Sequence, residues 1–182
     1  MKEVEINKSM KLSEHLTSSS EAALSHSSEL NGLHLSPHFT LGELTKTSYH
    51  TQDGNIPSHV AIENLRNLCV NWLEDLRYIY NRLFGDETMD IPVVINSGFR
   101  SEEVNRLCGG AQGSNHLTGC AVDIRCMGPE HQERMKEILL ALSKITKRDF
   151  DELIIEKRGS TRWIHFAVRP NGNRRRESED LR

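Results

Sequence analysis

A chain of 182 residues with 36% hydrophobic and 27% charged residues suits one domain with tails rather than two domains with separate cores. Its formal net charge of −3 supplies no strong field toward polyanions, so no nucleic-acid partner is expected. No apolar stretch approaches the length needed to span a bilayer, and no membrane insertion is expected.

In chain order, Met1-Lys2-Glu3-Val4-Glu5 is charged and no apolar run follows it, so the sequence predicts no signal peptide and synthesis in the cytoplasm. Residues 1–35 are rich in Ser, Glu and His and read as a mobile arm, with at most a short helix around Ser20–Leu24. His15, His26 and His34 are expected to be solvated. Order is expected from Ser36. Thr40-Leu41-Gly42-Glu43 has the pattern of a capping box. Pro57 suits the first turn of a long helix, along which Ile62, Leu65, Cys69, Trp72, Leu76, Ile79 and Leu83 recur at steps of three and four up to Gly85.

Ile91-Pro92-Val93-Val94-Ile95 predicts a short buried strand, Glu102–Leu107 a short helix, and Gly109, Gly110 and Gly113 a loop. Cys120–Arg125 predicts a strand with Cys120, Val122 and Ile124 on one face and Ala121, Asp123 and Arg125 on the other. Pro129 to about Ile145 is an amphipathic helix through Met135, Ile138, Leu142 and Ile145. Glu152–Glu156 and Arg162–Val168 then form a hairpin around Lys157-Arg158-Gly159-Ser160. Arg174-Arg175-Arg176, followed by Glu177, Glu179 and Asp180, reads as a solvated charged tail over 171–182. The mixed order of elements gives an α+β class with a small, mainly antiparallel sheet flanked by helices. The folded domain is expected over 36–170, as a monomer.

The four cysteines, Cys69, Cys108, Cys120 and Cys126, lack paired CxxC spacing and read as free thiols, with a Cys108–Cys126 bridge as the open alternative. Chemistry concentrates on two strands. Asp123 is a carboxylate on a strand otherwise built for burial, which is costly unless compensated. His116 stands seven residues earlier, and Gly119 between them permits a sharp reversal that would swing the imidazole over Asp123. On the last strand Ile164, Phe166 and Val168 face the core, so Trp163, His165 and Ala167 face the other way. Two imidazoles and one carboxylate converging on one sheet face suit a three-ligand zinc site with a position open to water. Ca²⁺ or Mg²⁺ would want more oxygen ligands.

These residues resemble the zinc D-Ala-D-Ala carboxypeptidases of the peptidase M15 family, with its hedgehog/DD-peptidase fold. The family's Ser-x-His-x-x-Gly-x-Ala-x-Asp run stands complete from Ser114 to Asp123, preceded by Ser97-Gly98-Phe99-Arg100 and followed by Trp163-Ile164-His165. Ser36-Pro37-His38-Phe39-Thr40 and Glu43-Leu44 resemble a phage and mobile-element subgroup. The resemblance implies one Zn²⁺ held by His116, Asp123 and His165, and a peptidoglycan stem peptide or cross-link as substrate. Hydrolysis would be of D,D or L,D type, as a carboxypeptidase or endopeptidase. Lytic use would follow an endolysin-like release. Arg100 would bind a substrate carboxylate or carbonyl through its planar fork and offset developing charge. The alternative is a pair with Glu102 or Glu103. Ser114 would position the His116 loop or a substrate group, or else satisfy local backbone.

Many relatives carry the carboxylate base three residues before the last histidine, where this chain has Arg162. The nearest candidate is Glu156, in a Leu153-Ile154-Ile155-Glu156 segment of the kind that precedes Trp-x-His in the subgroup. If the hairpin sets Glu156 opposite Trp163, it shares the face of His165. Otherwise Glu156 is an exposed charge paired with Lys157 or Arg162, with Glu152 and Asp151 as weaker substitutes. Arg162 also keeps alive a second reading, a catalytically impaired zinc-bearing module that binds wall peptides.

Overall fold

The computed structural model describes residues 31–181 other than 87 and 89. The expected helix around Ser20–Leu24, with His15 and His26, lies outside these residues. A small antiparallel pair, β1 (His34–Ser36) and β2 (Phe39–Thr40), leads into α1 (Leu41–Thr45). The side chain of Thr40 caps α1 by accepting the Glu43 amide at 3.3 Å, as the sequence predicts for that half of the box. Leu35 is 2% exposed and belongs to the core, so the ordered chain begins before Ser36, ahead of the expected boundary.

The long helix is real but starts and winds differently from its sequence pattern. Ser58, not Pro57, is the N-cap, its hydroxyl accepting the Ala61 amide of α2 (His59–Leu68). A π-helical turn at Cys69–Leu73 then joins α2 to α3 (Glu74–Phe84). A π turn holds more residues per turn than an α turn and rotates the apolar stripe. Leu73 and Tyr80 are buried with Leu76, while Leu83, on the same face as Leu76 but next to the last residue of α3, is 63% exposed.

The central sheet has five strands in the order β3–β4–β6–β5–β7. These are β3 (Ile95–Ser97), β4 (Ala121–Cys126), β5 (Glu152–Arg158), β6 (Thr161–Ala167) and β7 (Arg176–Leu181), and α4 (Glu102–Leu107) follows β3. All neighbours are antiparallel except β5 and β7. The expected strand over 91–95 is reduced to its last residue. Pro92 has no amide to give a ladder, and the Asn81 side chain takes both the amide and the carbonyl of Ile91. The expected solvated tail is a correction of larger consequence. Arg176–Leu181 runs parallel to β5 along its free edge, with Glu152 opposite Arg176, so backbone pairing outweighs the charged composition.

One sheet face is apolar over its centre. Val122, Ile124, Leu153, Ile155, Ile164 and Phe166 pack with α2, α3 and α5 (Pro129–Thr146) into a single core. Phe166 meets Trp72 edge-on at 5.0 Å between ring centroids and Phe150 at 5.8 Å. Burial of rings of this size stabilises by about 1.5–3 kcal/mol each. Ile145, expected on the buried stripe of α5, is exposed. All four cysteines are free. Among the described residues, no helix is long and apolar enough to cross a membrane. The result is the expected α+β architecture, with one sheet face spent on the core and the other left for polar groups.

Candidate metal centre

The polar sheet face is fixed by strand register. Asp123 of β4 lies directly opposite His165 of β6, and Ile154 and Glu156 of β5 lie opposite His165 and Trp163. Pleating therefore sends Asp123, His165, Glu152 and Glu156 to the same side. His116 arrives from outside the sheet, on a 3₁₀ turn over Asn115–Thr118. The Ser114 hydroxyl caps that turn by accepting the His116 amide at 3.3 Å, which is the local backbone role weighed for it. Gly119 closes the turn at φ +69°, and a Cβ there would sit 2.3 Å from the Ala61 carbonyl oxygen of α2. Only glycine fits this close approach, and it is what carries His116 over β4.

Three side-chain atoms converge. His116 Nε2 and His165 Nδ1 lie 3.2 and 3.1 Å from the same Asp123 oxygen, Oδ1, and 3.2 Å from each other. All three residues are nearly inaccessible to solvent. The outer nitrogen of each ring faces an acceptor. His116 Nδ1 donates to the Gly98 carbonyl at 2.5 Å, and His165 Nε2 to Glu152 Oε2 at 3.3 Å. With those protons assigned outward, the inner nitrogens are the lone-pair positions. An ion with arms of about 2.0 Å to three corners of a tetrahedron sets those corners about 3.3 Å apart, close to the spacing found. The donor set thus fits a divalent ion of zinc size.

Electrostatics follow from the same contacts. Burial raises the Asp123 carboxyl, but His116 and His165 outweigh it and hold it well below the usual carboxylate range. Burial pushes His116 down and keeps it neutral, only partly offset by Asp123. Burial also opposes charge on His165, yet hydrogen bonds to Asp123 and Glu152 prevail and lift it to about 9. In the metal-free protein this rise favours a second proton on His165, which a bound ion would displace.

Each remaining residue predicted for the site lines one cleft of about 570 Å³ with these ligands. Arg100 pairs with the second Asp123 oxygen, and its Nε donates to Ser97 at 2.8 Å, so its ion pair is with Asp123 rather than with Glu102 or Glu103. Glu156 is half-buried on the cleft wall. Burial raises its pKa, Asp123 adds to the rise, and His165 and a hydrogen bond from the Trp163 side chain offset part of it. Arg162 leaves on the opposite sheet face, where its Nη1 donates to Gln132 Oε1 at 3.0 Å. Buried Gln132 in turn donates to the carbonyls of Glu156 and Trp163 at 2.9 and 2.7 Å. Glu156 is thus not the exposed partner of Arg162.

Asp151 and Glu152 are also sorted by geometry. Asp151 is fully buried and accepts from Arg174, Arg169 and Asn115. Glu152 accepts from His165, Asn115, Arg174 and Arg176, and its pKa falls to about 2, led by the His165 hydrogen bond. Neither is placed to accept a proton from water. Asn115, Gln132 and Arg169 escaped the sequence reading. Asn115 is an unspecified position inside the motif, and a lone buried Gln or partly buried Arg has no periodic signature to betray it.

A sequence model of the family described as Peptidase M15 matches residues 37–167. No curated protein matches the chain significantly.

Proposed function

Since the chain belongs to the peptidase M15 family, whose members hydrolyse peptide bonds, we propose that it is a zinc-dependent peptidase acting on the stem peptides or cross-links of peptidoglycan. The observation that carries the reading is the convergence of His116 Nε2, Asp123 Oδ1 and His165 Nδ1 with their outer atoms already hydrogen-bonded. One Zn²⁺ per chain is the ion proposed for these two imidazoles and one carboxylate.

When bound there, zinc supplies Lewis acidity toward a peptide carbonyl and toward water. The chain's own residues do the rest. Glu156, with a raised pKa and, among the described residues, no cationic side chain bonded to it, takes the proton of the attacking water on its carboxylate and returns it to the leaving amine. Arg100 pairs with Asp123 and lines the cleft, where N–H groups not used in that pair would offset charge on the carbonyl oxygen or grip a substrate carboxylate. Ser114 keeps the His116 turn in place. Arg162 neither blocks the cleft nor replaces the base, which supports catalysis over the impaired, peptide-binding module. D,D- or L,D-type cleavage, action as a monomer and a phage-like route to the wall complete the proposal.

Digestion of purified stem peptides by zinc-loaded protein tests it. Glu156→Gln is expected to keep its zinc and lose about 10²- to 10⁴-fold in rate, while His116→Ala loses both. Full activity in Glu156→Gln removes Glu156 as the base. Zinc binding without cleavage of any stem peptide by the wild type favours the binding module.

A further inference from the structure

The family match ends at residue 167, yet the chain continues into the site. After β6 it turns back, so that Arg174 and Arg176 reach the carboxylate of Glu152. Arg174 Nη2 stands 2.8 Å and Arg176 Nη1 3.2 Å from Glu152 Oε1. The other oxygen, Oε2, accepts from Asn115 Nδ2 at 2.9 Å and faces His165 Nε2 at 3.3 Å. Both oxygens are thus occupied, one by the arginines and one by the loop and the ring. The arrangement is itself anchored. Asp151 takes the Arg174 amide, Nε and Nη2 at 3.1, 2.9 and 2.7 Å, and β7 pairs with β5 along its length. Arg175 faces away, to Ser143 and Asp149.

We propose that Glu152, clamped by Arg174 and Arg176 at the start of β7, is a positioning residue for His165. It accepts the Nε2 proton and fixes the ring so that Nδ1 faces His116 and Asp123. The proposal rests on the reading of His165 as a zinc ligand. A histidine can offer either nitrogen to a metal, and the hydrogen bond to the other one decides which. Without an acceptor at Nε2 the ring is free to rotate or to carry its proton on Nδ1, and the third corner of the site is lost. The C-terminal strand is on this account part of the metal centre, although none of its residues is among the three proposed ligands.

Zinc affinity, measured by chelator competition on the full chain, and the absorption spectrum of the Co²⁺-substituted protein test this without reference to turnover. Glu152→Ala is expected to weaken zinc by about 10- to 100-fold and to alter the Co²⁺ bands. Glu152→Gln, which keeps an acceptor oxygen, recovers most of the affinity. The double variant Arg174→Ala/Arg176→Ala falls between Glu152→Ala and wild type. Unchanged zinc affinity and Co²⁺ bands in Glu152→Ala overturn the positioning role. A loss in Glu152→Ala with none in the arginine variant overturns the clamp. If Glu152→Ala melts early without metal, the Glu152→Gln comparison decides: affinity as poor as in a misfolded Ala variant counts against the proposal. Failure of the wild type to bind zinc refutes the metal site itself and is distinguishable from all of these.

Discussion

Replacing Gly119 by alanine should damage stability and metal binding together, because one backbone position serves both. At φ +69° an L-residue costs about 1–2 kcal/mol. The added Cβ would lie 2.3 Å from the Ala61 carbonyl oxygen, against the 3.0 Å below which real Cβ contacts essentially never occur, so something must move by at least 0.7 Å (3.0 minus 2.3). The obstacle is helix backbone packed into the core, so the turn over Asn115–Thr118 is the element that gives. His116 rides on that turn, and its Nε2 is held within 3.2 Å of both other ligand atoms. A productive constellation tolerates about 0.5 Å of error. The expected outcome is a stability loss of about 1–3 kcal/mol with a zinc affinity at least tenfold weaker. Thermal unfolding of metal-free protein gives the first quantity and chelator competition the second. Gly113→Ala is the matched control: it lines the same cleft, but its Cβ meets nothing within 4 Å and its φ is not positive, so both measurements should stay at wild type. A Gly119→Ala protein that melts and binds zinc like wild type would refute the idea that this contact places His116.

Three further outcomes follow from the electrostatics. His165 is raised from 6.5 to about 9, so its charge stabilises the metal-free fold fully below pH 6.5, and that contribution is lost as pH climbs through 9. Metal-free melting temperature should fall across this window. Zinc competes with the same proton, so its apparent affinity should rise about tenfold per pH unit toward 9; a flat profile between pH 6.5 and 9 contradicts the assignment. Burial pushes the Cys69 and Cys126 thiols up to about 12, whereas Cys108 is only half-buried and lines the cleft. A thiol reagent on native protein at pH 8 should therefore label Cys108 well before Cys69 or Cys126, read by mass spectrometry of the digested chain. Rapid labelling of Cys69 would mean that the α2–π–α3 helix opens far more readily than its packing implies.

Local sequence determined the elements whose causes are local. The helix at Glu102–Leu107, the hairpin register that sets Glu156 opposite Trp163, and the alternation that turns His165 away from the core all depend on period and turn chemistry within a few residues. Strand parity and the resemblance of the motifs to the family likewise marked His116, Asp123 and His165 as a set. Where a distant part of the chain decides, the pattern misled. A π turn at Cys69–Leu73 interrupts a stripe that looked unbroken, and Leu83, on the face of buried Leu76 but at the end of α3, is exposed. Asn81 captured Ile91 and shortened the strand beside it. Arg174 to Leu181, polar enough to pass for a tail, found a free edge on β5 and a buried carboxylate at Asp151. Arg162 sat at a position that suggested a missing base until strand parity turned it toward Gln132. A sequence can state which groups are costly to bury; only the folded chain supplies the partners that make their burial tolerable, and those partners here lie up to dozens of residues away, beyond the reach of any periodicity.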